Sequence, residues 1–206
     1  PSDIMNDPTC TQVEILAYEE VVPFVFNNIK QFNLSTVVFY ITNTIFLILL
    51  VVHLLSSPFE GGFSLWHLLF TGFLGFIVFP ILLVPLHEIL HAAAYKLLGA
   101  ARIKIGMSLS QYLFYVTADK FVAGFYEMIF VALAPFVLIS SLLMYLFLTM
   151  DSGISTALLM SLFAHGTMCI GDFAVLSFFF QNGRSRLFTF DLHEEKKAYF
   201  YLKSKI

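Results

Sequence analysis

Four apolar stretches, each long enough to cross a bilayer, constrain this chain more than any other feature. They run from about Leu34 to Leu55, from near Ser64 to Leu86, from Met128 to Thr149 and from Ile154 to Phe180. A spanning helix needs about 20 mostly apolar residues. The second stretch continues in helical pattern to about Leu98. Hydrophobic residues fill 59% of the 206 positions and charged residues only 12%, against roughly 25% charged in a soluble domain. A soluble globule could not hide that much apolar surface. The expectation is a single-domain, all-α membrane protein with four transmembrane helices in contact with the lipid bilayer.

The polar segments complete the outline. Between the second and third spans, Ala101 to Lys120 does not read as a spanning helix. Its Arg102-Ile103-Lys104-Ile105 alternates and Tyr112 to Thr117 is rich in β-formers, so a short β-hairpin is expected there. Residues 1–33 contain Asp3, Asp7, Glu14, Glu19 and Glu20, with no basic n-region and no continuous apolar core. They are not expected to be a signal peptide. They read instead as an N-terminal cytoplasmic or interfacial segment, 34–181 as the transmembrane domain and 182–206 as a C-terminal tail.

Orientation follows from the basic residues. With four spans, all 11 Lys and Arg fall on the side of the two termini and the 96–120 segment. The opposite connections, near Glu60 and Asp151, hold none. The positive-inside rule then places both termini in the cytoplasm of a multi-pass protein of the cell (inner) membrane. A net charge of -3 argues against a nucleic-acid partner. Cys10 and Cys169 are too few for a disulfide framework.

The chemistry concentrates in His87-Glu88-Ile89-Leu90-His91, an H-E-x-x-H motif. Positions i and i+4 share a helix face, so both imidazoles can hold one Zn²⁺. Zinc makes water nucleophilic near neutral pH, and Glu88 can act as general base. A polar patch at a helix end is the bland alternative. The motif lies in an apolar run, however, where ionisable groups are costly and commonly functional. A catalytic zinc needs a third protein ligand. Asp172, in Gly171-Asp172 within the fourth span, is the best candidate; a bonded or neutral buried Asp is the alternative. At 1.5 Å rise per residue, Asp172 lies about 27 Å along its helix and His87 about 35 Å along its own. Pro80 and Pro85 are expected to shorten the second path. Both then fall in the cytoplasmic half.

Three further groups accompany them. His165 and Cys169 share a helical face with Asp172. His165, about 10 Å from Asp172 along the axis, is too far for the same ligand shell. It is expected to line the cavity, to donate a hydrogen bond to developing negative charge or to stand behind a ligand, or else to be a satisfied core histidine. Cys169 ranks second to Asp172 as a ligand. Glu127 is an interfacial residue or a partner for a ligating histidine. Asn43, mid-span, is expected to bond between helices.

These residues carry a resemblance. Pro85-Leu86-His87-Glu88-Ile89-Leu90-His91-Ala92, continuing to Lys96-Leu97-Leu98-Gly99, is followed by Ile103-Lys104-Ile105-Gly106, Ala132-Leu133-Ala134-Pro135 and Gly171-Asp172. The ordered set, over about residues 80–180, resembles the zincin peptidases, small bacterial multi-pass membrane proteins. The plan is also similar to that of site-2-type intramembrane metalloproteases. Those join an H-E-x-x-H helix to an Asp on a later helix, with a β-hairpin near the site. The resemblance implies His87, His91 and Asp172 as ligands of one zinc and Glu88 as the base. Two departures are the lack of an Asn-Pro-Asp-Gly-like loop around Asp172 and of a PDZ-like domain.

The expected function is a membrane-embedded zinc metallopeptidase acting on a membrane or membrane-proximal protein or peptide substrate. Two alternatives stay open: a metal-stabilised adaptor or chaperone without catalysis, and a metal-ion transporter using His165, Cys169 and Asp172.

Overall fold

The computed structural model describes residues 1–56, 65–108, 113–150 and 152–204. In chain order these form a short helix α1 (Ser2–Met5), strand β1 (Cys10–Ala17), helix α2 (Val21–Ile29), and span α3 (Leu34–Ser56). Helices α4 (Leu65–Phe73) and α5 (Phe79–Leu97) follow, then strands β2 (Ile103–Ser108) and β3 (Leu113–Ala118). The chain ends with α6 (Phe125–Thr149), α7 (Ser152–Met168), α8 (Ile170–Gln181), β4 (Leu187–Leu192) and β5 (Lys197–Lys203). Four helical stretches are long and apolar enough to cross a membrane: Leu34–Ser56, Trp66–Leu97, Phe125–Thr149 and Gly153–Gln181. The expected connections at Glu60 and Asp151, and the expected start of the second span at Ser64, lie outside the described residues.

The second and fourth spans are each built from two helices. A π-helical turn, Leu74–Val78, joins α4 to α5. There Gly75 lies against α7: a Cβ on it would fall 2.6 Å from Met160 Cβ and 2.7 Å from the Ala157 carbonyl. The Ser161 hydroxyl donates to the Gly75 carbonyl at 3.1 Å. The wide turn thus leaves room for α7 to approach the backbone and rejoins at Pro80, in the first turn of α5. In the fourth span only Cys169 separates α7 from α8. Helix α5 ends where Gly99, at φ +91°, takes the left-handed conformation that costs a glycine little.

The expected hairpin strands lie between the second and third spans. They pair antiparallel from Ile103 opposite Ala118 to Ser108 opposite Leu113. Residues 109–112, Tyr112 among them, lie outside the described residues.

The flanks correct the all-α expectation. Segments read as an N-terminal arm and a C-terminal tail form one antiparallel sheet, in the order β1-β5-β4. Cys10 pairs with Lys203 and Ala17 with Lys197, and Leu187 pairs with Leu202. The physical reason is two-faced apolarity in β4 and β5. Leu187 and Phe200 enter a core with Leu16, Phe24, Phe178 and Phe179. Phe190 stacks between Tyr199 and Tyr201 at 5.5 and 5.8 Å. The free side of β4 is bridged to the chain after β3, where Lys120 N donates to the Asp191 carbonyl at 2.9 Å. Ala123 and Thr189 exchange both backbone hydrogen bonds. Helix α2 docks on α8: Ser177 Oγ donates to the Asn28 carbonyl at 2.8 Å, and Gln181 Nε2 to Asn28 Oδ1 at 3.0 Å. The chain's two ends therefore cover the same end of the helical bundle.

Candidate metal centre

Helix α5 places His87 and His91 one turn apart and buried, His87 beside His165 of α7 and His91 beside Val131 of α6. Their Nε2 atoms stand 3.0 Å apart. From α8, Asp172 brings Oδ2 to 3.3 Å from His87 Nε2 and Oδ1 to 3.2 Å from His91 Nε2. Three donors from two distant chain segments thus meet at one point.

The spacing is itself informative. Zinc binds nitrogen and oxygen ligands at about 2.0–2.2 Å in a tetrahedron, which sets neighbouring ligand atoms about 3.3–3.5 Å apart by simple trigonometry. The two nitrogens at 3.0 Å, and each nitrogen's 3.2–3.3 Å approach to one of the two Asp172 oxygens, lie close to that spacing. Protonation strengthens the case. His91 Nδ1 lies 3.0 Å from the Val131 carbonyl, which can only accept, so Nδ1 carries the proton. In the neutral ring Nε2 is then a lone pair, and it faces a carboxylate. Acceptors converge in this way only around a cation, whether an added proton or a metal ion.

The second histidine is anchored differently. His87 Nδ1 lies 3.4 Å from His165 Nε2, and His165 Nδ1 lies 3.4 Å from Ser140 Oγ on α6. With His87 Nε2 left free for a cation, His87 Nδ1 would carry the proton and donate to His165 Nε2, and His165 Nδ1 would donate to Ser140. Metal-binding histidines are commonly fixed from behind in this manner. Cys169 Sγ sits 3.8 Å from His165 Nε2, and its thiol donates to the His165 carbonyl at 3.3 Å.

Ligand atoms of His87, His165 and Cys169 also lie within 4.8 Å of one another, as do those of His87, His91 and Asp172. Access separates the two groups. A cavity of about 320 Å³ is lined by His87, Glu88, His91 and Asp172, whereas His165 and Cys169 are fully buried away from it. Of the two groups, only the first borders the cavity with all of its members. Glu88 lines the same cavity beside Val116 of β3.

Glu127 is not brought to this centre. Its carboxylate accepts the Gly124 N–H at 3.1 Å and closes the start of α6. Unpaired amides at its own helix N-terminus were a nearer partner than any histidine. His53 lies by Thr156, 3.2 Å away in the other half of the bundle. Asn43 spans two helices as expected, donating to the Gly166 carbonyl at 3.3 Å.

Sequence reasoning missed the sheet side of the cavity. Tyr18, Thr117 and Asp191 line it together with the triad. The only signal for Asp191 was an acid in an apolar alternating strand, Leu187-Phe188-Thr189-Phe190-Asp191-Leu192.

A family model described as "Putative zincin peptidase" matches residues 80–186, just over half of the chain. The chain belongs to this family. The zincin match takes in the H-E-x-x-H helix, the hairpin, α6 and the Asp172 helix, and stops just before β4. No curated protein and no solved structure matches the chain. The donor chemistry of the triad, two imidazoles and a carboxylate open to a cavity, fits the zinc that the family description implies.

Proposed function

We propose that the protein is a membrane-embedded zinc metallopeptidase that hydrolyses peptide bonds in a membrane or membrane-proximal protein. One observation carries the reading. The Nε2 atoms of His87 and His91 and the two carboxylate oxygens of Asp172 meet in contacts of 3.0–3.3 Å, beside a glutamate, on the wall of a cavity. Membership of the zincin peptidases supports it.

His87, His91 and Asp172 would hold the ion. A zinc ion held there acts as a Lewis acid, making water nucleophilic near neutral pH and polarising a peptide carbonyl. Glu88 takes the proton from the attacking water and passes it to the leaving amine. His165 and the Val131 carbonyl keep the two imidazoles turned toward the triad. The apolar cavity walls limit competing water, and β3, through Tyr115, Val116 and Thr117, offers a strand beside which an extended substrate can lie. Both termini, and with them the sheet, face the cytoplasm in this reading, as the one-sided Lys and Arg distribution supports.

The test is Glu88→Gln in zinc-loaded protein reconstituted with a membrane-protein reporter. Zinc content should stay at the wild-type level while cleavage falls by about 10²–10⁴-fold. Undiminished cleavage would end the peptidase reading. A cellular role that survives Glu88→Gln but fails in His91→Ala would favour the metal-stabilised adaptor.

A further inference from the structure

The cavity that holds the triad contains a second polar group, contributed by the terminal sheet. Asp191 of β4 and Tyr18, just after β1, line it, while Phe24, Val25, Met168 and Val175 give it apolar wall. Asp191 is held firmly by its backbone. Its carbonyl accepts the Lys120 N–H at 2.9 Å, and it pairs with Ala198 across the sheet.

Among the described residues no Lys or Arg pairs with the Asp191 carboxyl. Nearby Asp119 is also acidic, and its own carboxylate is engaged by the His193 N–H at 3.1 Å. Burial, reinforced by Asp119, pushes the Asp191 pKa up to about 7. The Tyr18 hydroxyl is near enough to oppose that rise, yet it is buried and completes no hydrogen bond of good geometry among the described residues. Its ring meets Tyr115 edge-on at 5.0 Å. A buried carboxyl whose neighbours are a phenol and a second acid, with Thr117 beside them and no cation among the described residues, is costly to ionise on an apolar cavity wall.

We propose that Asp191 and Tyr18 form a cation subsite of the cleft, which takes the ammonium or guanidinium group of a peptide whose neighbouring residues are apolar. The role as a substrate subsite rests on the metallopeptidase reading above. The carboxylate supplies the charge, the phenol beside it steadies that carboxylate, and the apolar walls accept the methylene stem that a Lys or Arg carries. Such a peptide has a natural source. Lys and Arg concentrate at the cytoplasmic ends of membrane spans, where an apolar run meets a basic residue. A free amino terminus offers the same ammonium.

The experiment uses fluorescent, acetyl-capped Leu/Ala peptides carrying one Lys, Arg, norleucine or Glu, plus an uncapped norleucine peptide. Binding to the zinc-loaded full-length Glu88→Gln protein in detergent is read by anisotropy. Capped Lys and Arg peptides should bind about 100-fold more tightly than capped norleucine, because an unpaired buried polar group penalises the apolar isostere. Glu should bind weakest. Asp191→Asn in the same background should erase the Lys preference. Tighter binding of the uncapped norleucine peptide than of capped Lys assigns the ammonium to a peptide terminus and still supports the subsite. Equal binding of capped Lys, uncapped norleucine and capped norleucine overturns it, and that comparison needs no change to the sheet. Hydrolysis of the same peptides by the wild type separates the two ideas. Binding preference without hydrolysis sinks the peptidase and leaves the subsite; hydrolysis without preference does the reverse.

Discussion

The helical and sheet walls of the cavity treat their polar groups in opposite ways. On the helical wall, His87, His91 and Asp172 bring acceptors within 3.0–3.3 Å of each other, and each imidazole is fixed from behind by Val131 or His165. On the sheet wall, Asp191 lines the same space beside Tyr18 and Asp119, with no cation to pair with among the described residues. Crowded acceptors specify something as small as a single ion. An isolated acid beside apolar side chains specifies a larger ligand that brings its own charge.

The sharpest way to break this contrast is to take Asp172 from the helical wall. Asp172→Ala leaves two imidazoles and no carboxylate, so zinc affinity in chelator competition should fall by roughly 100-fold or more, beyond what losing an outer partner costs. Full zinc retention in that variant would mean that the crowded acceptors are not organised around a metal. His165 refines the same point at a smaller scale. His165→Ala removes the acceptor behind His87 Nδ1 and should weaken zinc binding by about 10–100-fold. His165→Gln, which can still accept that proton, should recover part of the loss. His165→Leu, of similar bulk but with no acceptor, should not recover it, whereas a merely space-filling role predicts equal rescue by Leu and Gln.

The frame of the helical wall can be tested apart from its ligands. At Gly75 an added Cβ meets Met160 Cβ at 2.6 Å and the Ala157 backbone at 2.7 Å, and backbone cannot rotate away. Gly75→Ala should therefore destabilise the protein by about 1–3 kcal/mol, the usual range for overpacking, read as an earlier melting transition in detergent. An unchanged transition would show that α4 and α7 separate easily. The helical wall would then be no more rigid than the sheet wall.

How much of each wall could be read from the sequence follows from how local its causes are. The H-E-x-x-H spacing is a property of one helix turn, and span length is a property of one apolar run, so both were legible. Asp172 was legible because a carboxylate in an apolar span demands a reason. For His165 only the outline was legible: distance along the α7–α8 axis bounds its separation from Asp172 but not from His87, which approaches from another helix. The sheet was missed because β1 and β5 pair Cys10 with Lys203 across nearly the whole chain. No local pattern encodes that pairing. Asp191 inherits this blindness: its partners Tyr18 and Asp119 come from the first strand's end and the hairpin's end.

The smallest predicted effect isolates the sheet wall. Burial, with Asp119 adding to it and Tyr18 opposing, raises the Asp191 pKa to about 7 in the folded protein, while an unfolded Asp titrates near 3.9. Folding therefore favours the protonated acid. The stability this supplies is complete below about pH 4 and is lost as pH rises through about 7. Asparagine mimics the protonated form at every pH. Asp191→Asn and wild type should melt together near pH 4, with the gap opening between pH 4 and 7 and holding steady above. At pH 8 the variant should melt about 2–5 °C higher, a modest shift because solvent in the cavity weakens the penalty. Titration of the triad is common to both proteins and cancels in that gap. A gap that does not change with pH would show that Asp191 is as well solvated as a surface acid. The sheet wall would then hold no unmet charge, and only the metal triad would distinguish the cavity.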